Sequence, residues 1–172
     1  PDQLFDRTKG RSSSFFEKGI VVHISFADPF CPTMIGLLGE ICQEMGLDFH
    51  LGGTYLCMEG PQFSTRAESR IYRQWGVDII GMTSLPEAKL AREAEICYAI
   101  IAMVTDYDVW HEEEEEVTVE ILIANMAKNI ENVKKLLKRI VPELPRERHC
   151  LCANALQNAI ITPREAISDE VR

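Results

Sequence analysis

The sequence predicts an α/β domain built on a central mixed, largely parallel sheet flanked by helices. Three observations carry this. Short apolar runs of strand length alternate with segments whose apolar residues recur every three or four positions. Gly and Pro stand between these segments, where the chain has to turn. At 172 residues, 46% hydrophobic and 26% charged, the chain is long enough and apolar enough for one domain with a real core.

Residues 1–14 are polar and read as a loop. Residues 19–26 form an apolar, β-branched run and read as a buried strand, broken by Asp28-Pro29 and Cys31-Pro32. Thr33 can then cap a helix carrying Met34, Leu37, Leu38, Ile41, Cys42 and Met45 on one face, closed by Gly46. A second strand is expected over 53–58, a helix over 65–75 and a short buried strand over 77–82. Pro86 suits a first helical turn, so 86–95 reads as a helix and 98–104 as the next strand. The five acids Glu112 to Glu116 read as a solvated loop. Residues 118–141 predict a long amphipathic helix with Leu122, Met126, Ile130, Val133, Leu137 and Ile140 on one face. Pro142 and Pro145 end it, and a short helical tail follows.

Charge and composition narrow the function. A net charge of -9, with Lys and Arg scattered, argues against nucleic acid or an acidic membrane as partner. No apolar run reaches the length of a membrane span and no signal peptide is recognisable, so a cytoplasmic setting is expected. The chain begins with Pro1 rather than Met, as a processed chain or a piece of a longer one would. Among six cysteines, Cys42 falls on the apolar face of its helix. Cys150 and Cys152 sit in a polar tail beside His149 and offer a disulfide or a metal site. Two thiols and one imidazole fall short of a zinc set, which favours redox pairing over metal, with two unpaired thiols as the alternative. Six cysteines leave fifteen full pairings open.

The chemistry points to Asp106 and Asp108. They lie two apart at the end of an apolar run, so they share a face if that run is a strand. Such a pair can form a turn, cap a helix, hold a hard cation, or receive the amino group and proton donors of a purine. In parallel α/β sheets ligands bind beyond the carboxyl ends of strands. Gly60-Pro61, Met82-Thr83 and Asp106-Tyr107-Asp108 all fall at such ends and are expected to meet at one rim.

Several of these segments resemble one family. Glu59-Gly60-Pro61-Gln62-Phe63-Ser64-Thr65-Arg66-Ala67-Glu68 looks like the signature loop of the nucleoside phosphorylases. Trp75-Gly76-Val77-Asp78-Ile79-Ile80-Gly81-Met82-Thr83 and Pro86-Glu87 resemble their next block. Ala102-Met103-Val104-Thr105-Asp106-Tyr107-Asp108-Val109-Trp110 resembles the branch that acts on S-methyl-5'-thioadenosine, as do Phe5-Asp6-Arg7-Thr8, His23-Ile24 and Pro29-Phe30-Cys31-Pro32. The Cys-x-Cys tail is similar to archaeal members. The match runs from about Asp2 to at least Leu137. The Gly-rich phosphate loop, Arg-His motif and phosphate-contacting Thr of the family's N-terminal part have no counterpart here. The resemblance therefore implies that residues 1–172 are the C-terminal portion of a single nucleoside phosphorylase domain of three layers. The phosphate-loop portion would come from a longer chain or from a complementary N-terminal one.

The same resemblance implies phosphorolysis of S-methyl-5'-thioadenosine to adenine and S-methyl-5-thioribose-1-phosphate. Inorganic phosphate is then a cosubstrate, with no metal or organic cofactor, and a homo-oligomer, trimer or hexamer, is implied. Asp106 is the general acid expected at purine nitrogen-7, its pKa raised by Asp108 and by burial under the base; Asp108 would accept from the 6-amino group. Tyr107 belongs to the same substrate-binding motif. Phe63 would pack on the purine or ribose, and Ser64 in place of an acid favours a 6-amino purine. Ile80 and Gly81 would line the base pocket, and Met82 would contact the ribose. Thr83 would bind phosphate. Val119 and Leu122 would shape the pocket for the 5' group, and His23 would reach a neighbouring subunit's 5' pocket. A 6-oxopurine or broad-specificity phosphorylase, and a non-catalytic nucleoside-binding or assembly module, are the competing functions.

Overall fold

Three parallel strands, β1 (Gln3–Arg7), β2 (Thr54–Met58) and β3 (Ile79–Gly81), pair in the order β1-β2-β3. This computed structural model describes residues 1–16, 18–109 and 119–169. Gln3 lies opposite Thr54 and Arg7 opposite Met58, while Tyr55, Leu56 and Cys57 face Ile79, Ile80 and Gly81. Parallel neighbours need a crossover between them. Helix α1 (Pro32–Glu44) lies between β1 and β2, and α2 (Arg66–Gln74) between β2 and β3. Helices α3 (Glu87–Glu93) and α4 (Val119–Ile140) follow.

Each helix end has a local cause. Thr65 caps α2: its side chain accepts from the Glu68 amide, and the Glu68 carboxylate accepts from the Thr65 amide, closing a capping box. Gly46 and Gly76, with φ of 62° and 75°, take the left-handed position that ends α1 and α2. At the start of α1, Cys31 rather than Thr33 occupies the cap, because Pro32 takes the first helical position, where a missing amide costs nothing.

The sheet is covered on both faces. On one face Tyr55 and Cys57 are buried with Phe30, Leu85 and Ala88, and Leu4, Ile35, Ile79, Tyr98 and Ile100 pack around them. On the other face Phe5 meets Trp75, at the end of α2, with ring centroids 5.6 Å apart, and Trp75 in turn meets Tyr72. Outside the first layer α4 packs on α1 through Leu136 and Ile140 against Ile41 and Cys42.

Four expectations need correction. Residues 3–7 are a strand, not loop; only Leu4 is even half-buried, so backbone pairing to β2 holds this edge and hydrophobicity does not reveal it. Residues 19–26 are not a buried strand. Val22, Ile24 and Phe26 turn inward while Val21, His23 and Ser25 are exposed, and pairing is confined to one antiparallel bridge between Val22 and Ile160. Residues 98–104 are packed on two sides, with Tyr98 and Ile100 in the sheet core and Ile101 against α1 and α4, yet join no ladder among the described residues. On α4 the inward stripe runs through Val133, Leu136 and Ile140, while Met126, Ile130 and Leu137 are exposed. The helix carries two apolar stripes, and the position of α1 selects one of them. The Glu112 to Glu116 run lies outside the described residues.

Lys89 on α3 reaches Asp6 at 2.6 Å, joining α3 to β1. Burial pushes the Asp6 carboxyl up, but hydrogen bonds from Lys89 and Thr8 outweigh it and hold the group below its usual value. A depressed carboxyl contributes stability above its unfolded value, near 3.9, and loses it as pH falls through the folded value. Both side chains are about a third exposed, so the contribution is expected to stay below ~1 kcal/mol. Urea unfolding should show Asp6→Asn less stable than the parent at pH 7 and equal to it at acid pH. A gap that persists in acid would assign the loss to packing.

Candidate active site

Because the strands are parallel, the segments that leave them emerge on one edge of the sheet. Residues 8–11 follow β1, 59–64 follow β2 and 82–83 follow β3. Arg11 joins all three. Its Nη1 donates to the carbonyls of Met82 (3.0 Å) and Leu85 (2.7 Å), its Nη2 to the Glu59 carbonyl (3.2 Å), and its Nε to the Glu59 carboxylate (3.2 Å). Glu59 also accepts from the Lys9 amide at 2.7 Å, so it holds the loop.

Two close approaches set the shape of this edge. Gly60 has φ of 72°, and a side chain there would meet Met82 Sδ at 2.6 Å. A Cβ on Gly81 would come within 2.0 Å of the Tyr55 hydroxyl. That hydroxyl lies 3.4 Å from the Thr83 hydroxyl and accepts from the Thr83 amide at 3.4 Å, while the Cys57 thiol donates to the Thr83 carbonyl at 2.8 Å. Thr83 is thus tied to the buried face of β2 with its own side chain exposed. Ser84, next in the chain, is buried with φ of 79°, a strained conformation for a residue with a side chain.

The Asp106 segment is brought to the same edge from two sides. Arg66, at the start of α2, donates to the Val109 carbonyl at 3.1 Å. Asn125 and Asn129, one turn apart on α4, donate to the carbonyls of Thr105 (3.0 Å) and Val104 (2.8 Å). These side chains take up backbone carbonyls that lack a ladder partner. Asp106 is exposed, and its Oδ2 accepts from the Thr105 hydroxyl at 2.6 Å. Asp108 is half-buried: Oδ1 accepts from the Val109 amide at 2.9 Å, and Oδ2 is buried with no partner among the described residues. The two carboxylates therefore differ, one open to solvent and one with a buried acceptor to spare.

The other expected residues fall as follows. Phe63 is 83% exposed, so its ring is presented to solvent and is not part of the core. Ser64 is buried, and its hydroxyl donates weakly to Met58 Sδ at 3.6 Å. Ile80, Gly81 and Met82 are half-buried on and just past β3, and Tyr107 is exposed. His23 is exposed on the segment that bridges to Ile160. Val119 and Leu122 lie in the first turn of α4; their side chains are outside the described residues. An apolar cleft lined by Phe16, Ile20, Ile160, Ile161 and Ile167 contains none of the expected site residues.

Arg11, Asn125, Asn129 and Tyr55 are the positioning residues that sequence reasoning missed. The one signal available was the i, i+4 spacing of the two asparagines, which puts them on one face of a helix. The expected disulfide is also corrected. All six cysteines are free thiols, and the Cys150 sulfur lies 3.3 Å from that of Cys97.

Comparisons with known proteins bear on this geometry. The model of the phosphorylase superfamily matches residues 1–142. The S-methyl-5'-thioadenosine phosphorylase of Geobacter sulfurreducens is 53% identical over 173 residues, covering 100% of this chain and 60% of that protein. The chain thus spans about 60% of the length of this relative. Among solved structures, a methylthioadenosine phosphorylase from an antarctic soil metagenomic library superimposes with a TM-score of 0.87 at 47% identity, covering 99% of this chain and 61% of that one. A double mutant of the adenosine/methylthioadenosine phosphorylase of Schistosoma mansoni, in complex with adenine, superimposes with a TM-score of 0.76 at 33% identity, covering 86% of this chain and 60% of that one.

Proposed function

The chain belongs to the phosphorylase superfamily, and from that premise we propose that it carries the base and ribose half of a site for phosphorolysis of S-methyl-5'-thioadenosine. The products are adenine and S-methyl-5-thioribose-1-phosphate. The observation that carries the reading is the pairing of an exposed Asp106 with an Asp108 whose buried oxygen has no partner among the described residues, on a segment bonded to Arg66, Asn125 and Asn129. A buried acceptor without a donor is unfavourable unless a ligand supplies one. The 6-amino group of adenine is such a donor.

Cleavage of the glycosidic bond develops positive charge on the sugar and negative charge on the departing base. In this proposal Asp106, protonated, gives its proton to purine nitrogen-7 as the bond breaks. Asp108 accepts from the 6-amino group and fixes the base in register. Phosphate attacks the opposite side of the sugar carbon, and Thr83 contributes a hydroxyl to it. Phe63 lies against the purine or ribose, Met82 against the ribose, and Ile80, Gly81, Ser64 and Tyr107 border the base. His23, Val119 and Leu122 are assigned to the 5'-methylthio end. The remaining phosphate contacts are assigned to an N-terminal portion, in a longer chain or a complementary one. Phosphate as cosubstrate without an organic cofactor, a homotrimer or hexamer, and a cytoplasmic setting complete the proposal. Among the described residues no helix is long and apolar enough to cross a membrane.

Adenine release from methylthioadenosine, followed by chromatography with and without phosphate on material of verified mass, tests the reading. Phosphate-dependent adenine is expected once the N-terminal portion is present, with inosine a poor substrate. Adenine formed equally without phosphate would make the protein a hydrolase. Faster turnover of inosine would assign the site to 6-oxopurines.

A further inference from the structure

Four cysteines that the proposed reaction does not use converge at one point. Cys31 occupies the cap of α1, Cys97 follows α3, and Cys150 and Cys152 flank Leu151 in a turn after α4. Their sulfurs all lie within 4.8 Å of one another. Cys31 and Cys152 are buried and Cys97 and Cys150 half-buried. A disulfide would bring two sulfurs to about 2.05 Å. Four thiolates each about 2.3 Å from one ion stand at the corners of a tetrahedron with edges of ~3.8 Å. The 3.3 Å between Cys97 and Cys150 falls near the second distance and far from the first.

We propose that Cys31, Cys97, Cys150 and Cys152 form a closed tetrahedral thiolate site for a zinc ion. The donor set consists of sulfur alone, which selects a thiophilic ion over magnesium or calcium. His149, the nearby ligand suggested by the sequence, has a side chain 87% exposed beside Glu147, and the two further ligands come from Cys31 and Cys97. The Cys-x-Cys spacing is tighter than the usual two-residue spacer, so the second pair has to come from distant segments. Binding is an exchange without oxidation: zinc forms four bonds to sulfur and the thiols release their protons to solvent. With all four positions filled by protein, the ion has no open site for chemistry and is structural. It fastens the start of α1 and the tail around Cys150 to the segment that leads through Tyr98 to Asp106.

The test is metal analysis of protein purified under reducing conditions without chelator, checked by circular dichroism for folding. Roughly one zinc per chain is expected. Exchange for cobalt should give the intense visible bands and the sulfur-to-metal charge-transfer band of a tetrahedral thiolate. Cys150→Ser should lose the zinc and the charge-transfer intensity, and His149→Ala should keep both. A strong chelator should lower the thermal midpoint of the parent and leave that of Cys150→Ser unchanged. Folded parent protein with free thiols, no zinc and no cobalt bands would overturn the proposal. So would a mass lowered by the hydrogens lost in a disulfide between Cys97 and Cys150. These readouts are independent of phosphorolysis, so either proposal can fail without the other.

Discussion

Asp106→Asn is expected to lower kcat for methylthioadenosine by roughly 10²–10⁴-fold, the usual contribution of a positioned general acid. The variant removes the proton that the departing base needs and little else. Asp106 is exposed, and its carboxylate accepts a hydrogen bond from the Thr105 hydroxyl. An asparagine oxygen can accept that bond, so the fold and the thermal midpoint should not change. Asp108→Asn provides the contrast. Its carboxylate is expected to hold the amino group in the ground state and the transition state alike, so its loss should raise KM more than it lowers kcat. Both variants are to be measured in the assembly that shows phosphate-dependent adenine release. Unchanged kcat in Asp106→Asn would remove it from the chemistry.

Gly81→Ala is expected to destabilise the protein by about 1–3 kcal/mol through overpacking and to reduce activity as well. The added carbon would stand 2.0 Å from the Tyr55 hydroxyl and 2.8 Å from the ring carbon that bears it. Tyr55 is buried in the sheet core and cannot swing clear. Movement of its hydroxyl would also break the contacts that hold Thr83, so a stability defect becomes a phosphate-site defect. Tyr55→Phe in the same chain removes the nearest atom and should recover part of the stability without recovering the Thr83 contacts. Urea unfolding and the dependence of rate on phosphate separate the two effects. A Gly81→Ala protein with the parent's stability and phosphate dependence would show that this close approach is not needed.

The elements legible in the sequence are those whose causes are local. The capping box of Thr65 and Glu68, the terminal glycines Gly46 and Gly76, and the apolar runs of β2 and β3 each sit within a few residues of what they determine. The segments that follow β2 and β3, at Gly60-Pro61 and Met82-Thr83, were legible for the same reason. Edge strand β1 was not, because its stability comes from pairing with β2 and its sequence is polar. The buried stripe of α4 was not, because two apolar stripes satisfy the same periodicity and only contact with α1 distinguishes them.

By itself, the sequence determined the α/β class, the family and the approximate positions of the helices, because each rests on residue type and short-range spacing. Tertiary structure decided which distant groups meet. It placed Arg11 across Glu59, Met82 and Leu85, set Asn125 and Asn129 on the carbonyls before Asp106, and gathered Cys31 and Cys97 around Cys150 and Cys152. The physical reason is that such contacts depend on how whole elements pack, and the spacing of residues along the chain carries no record of it.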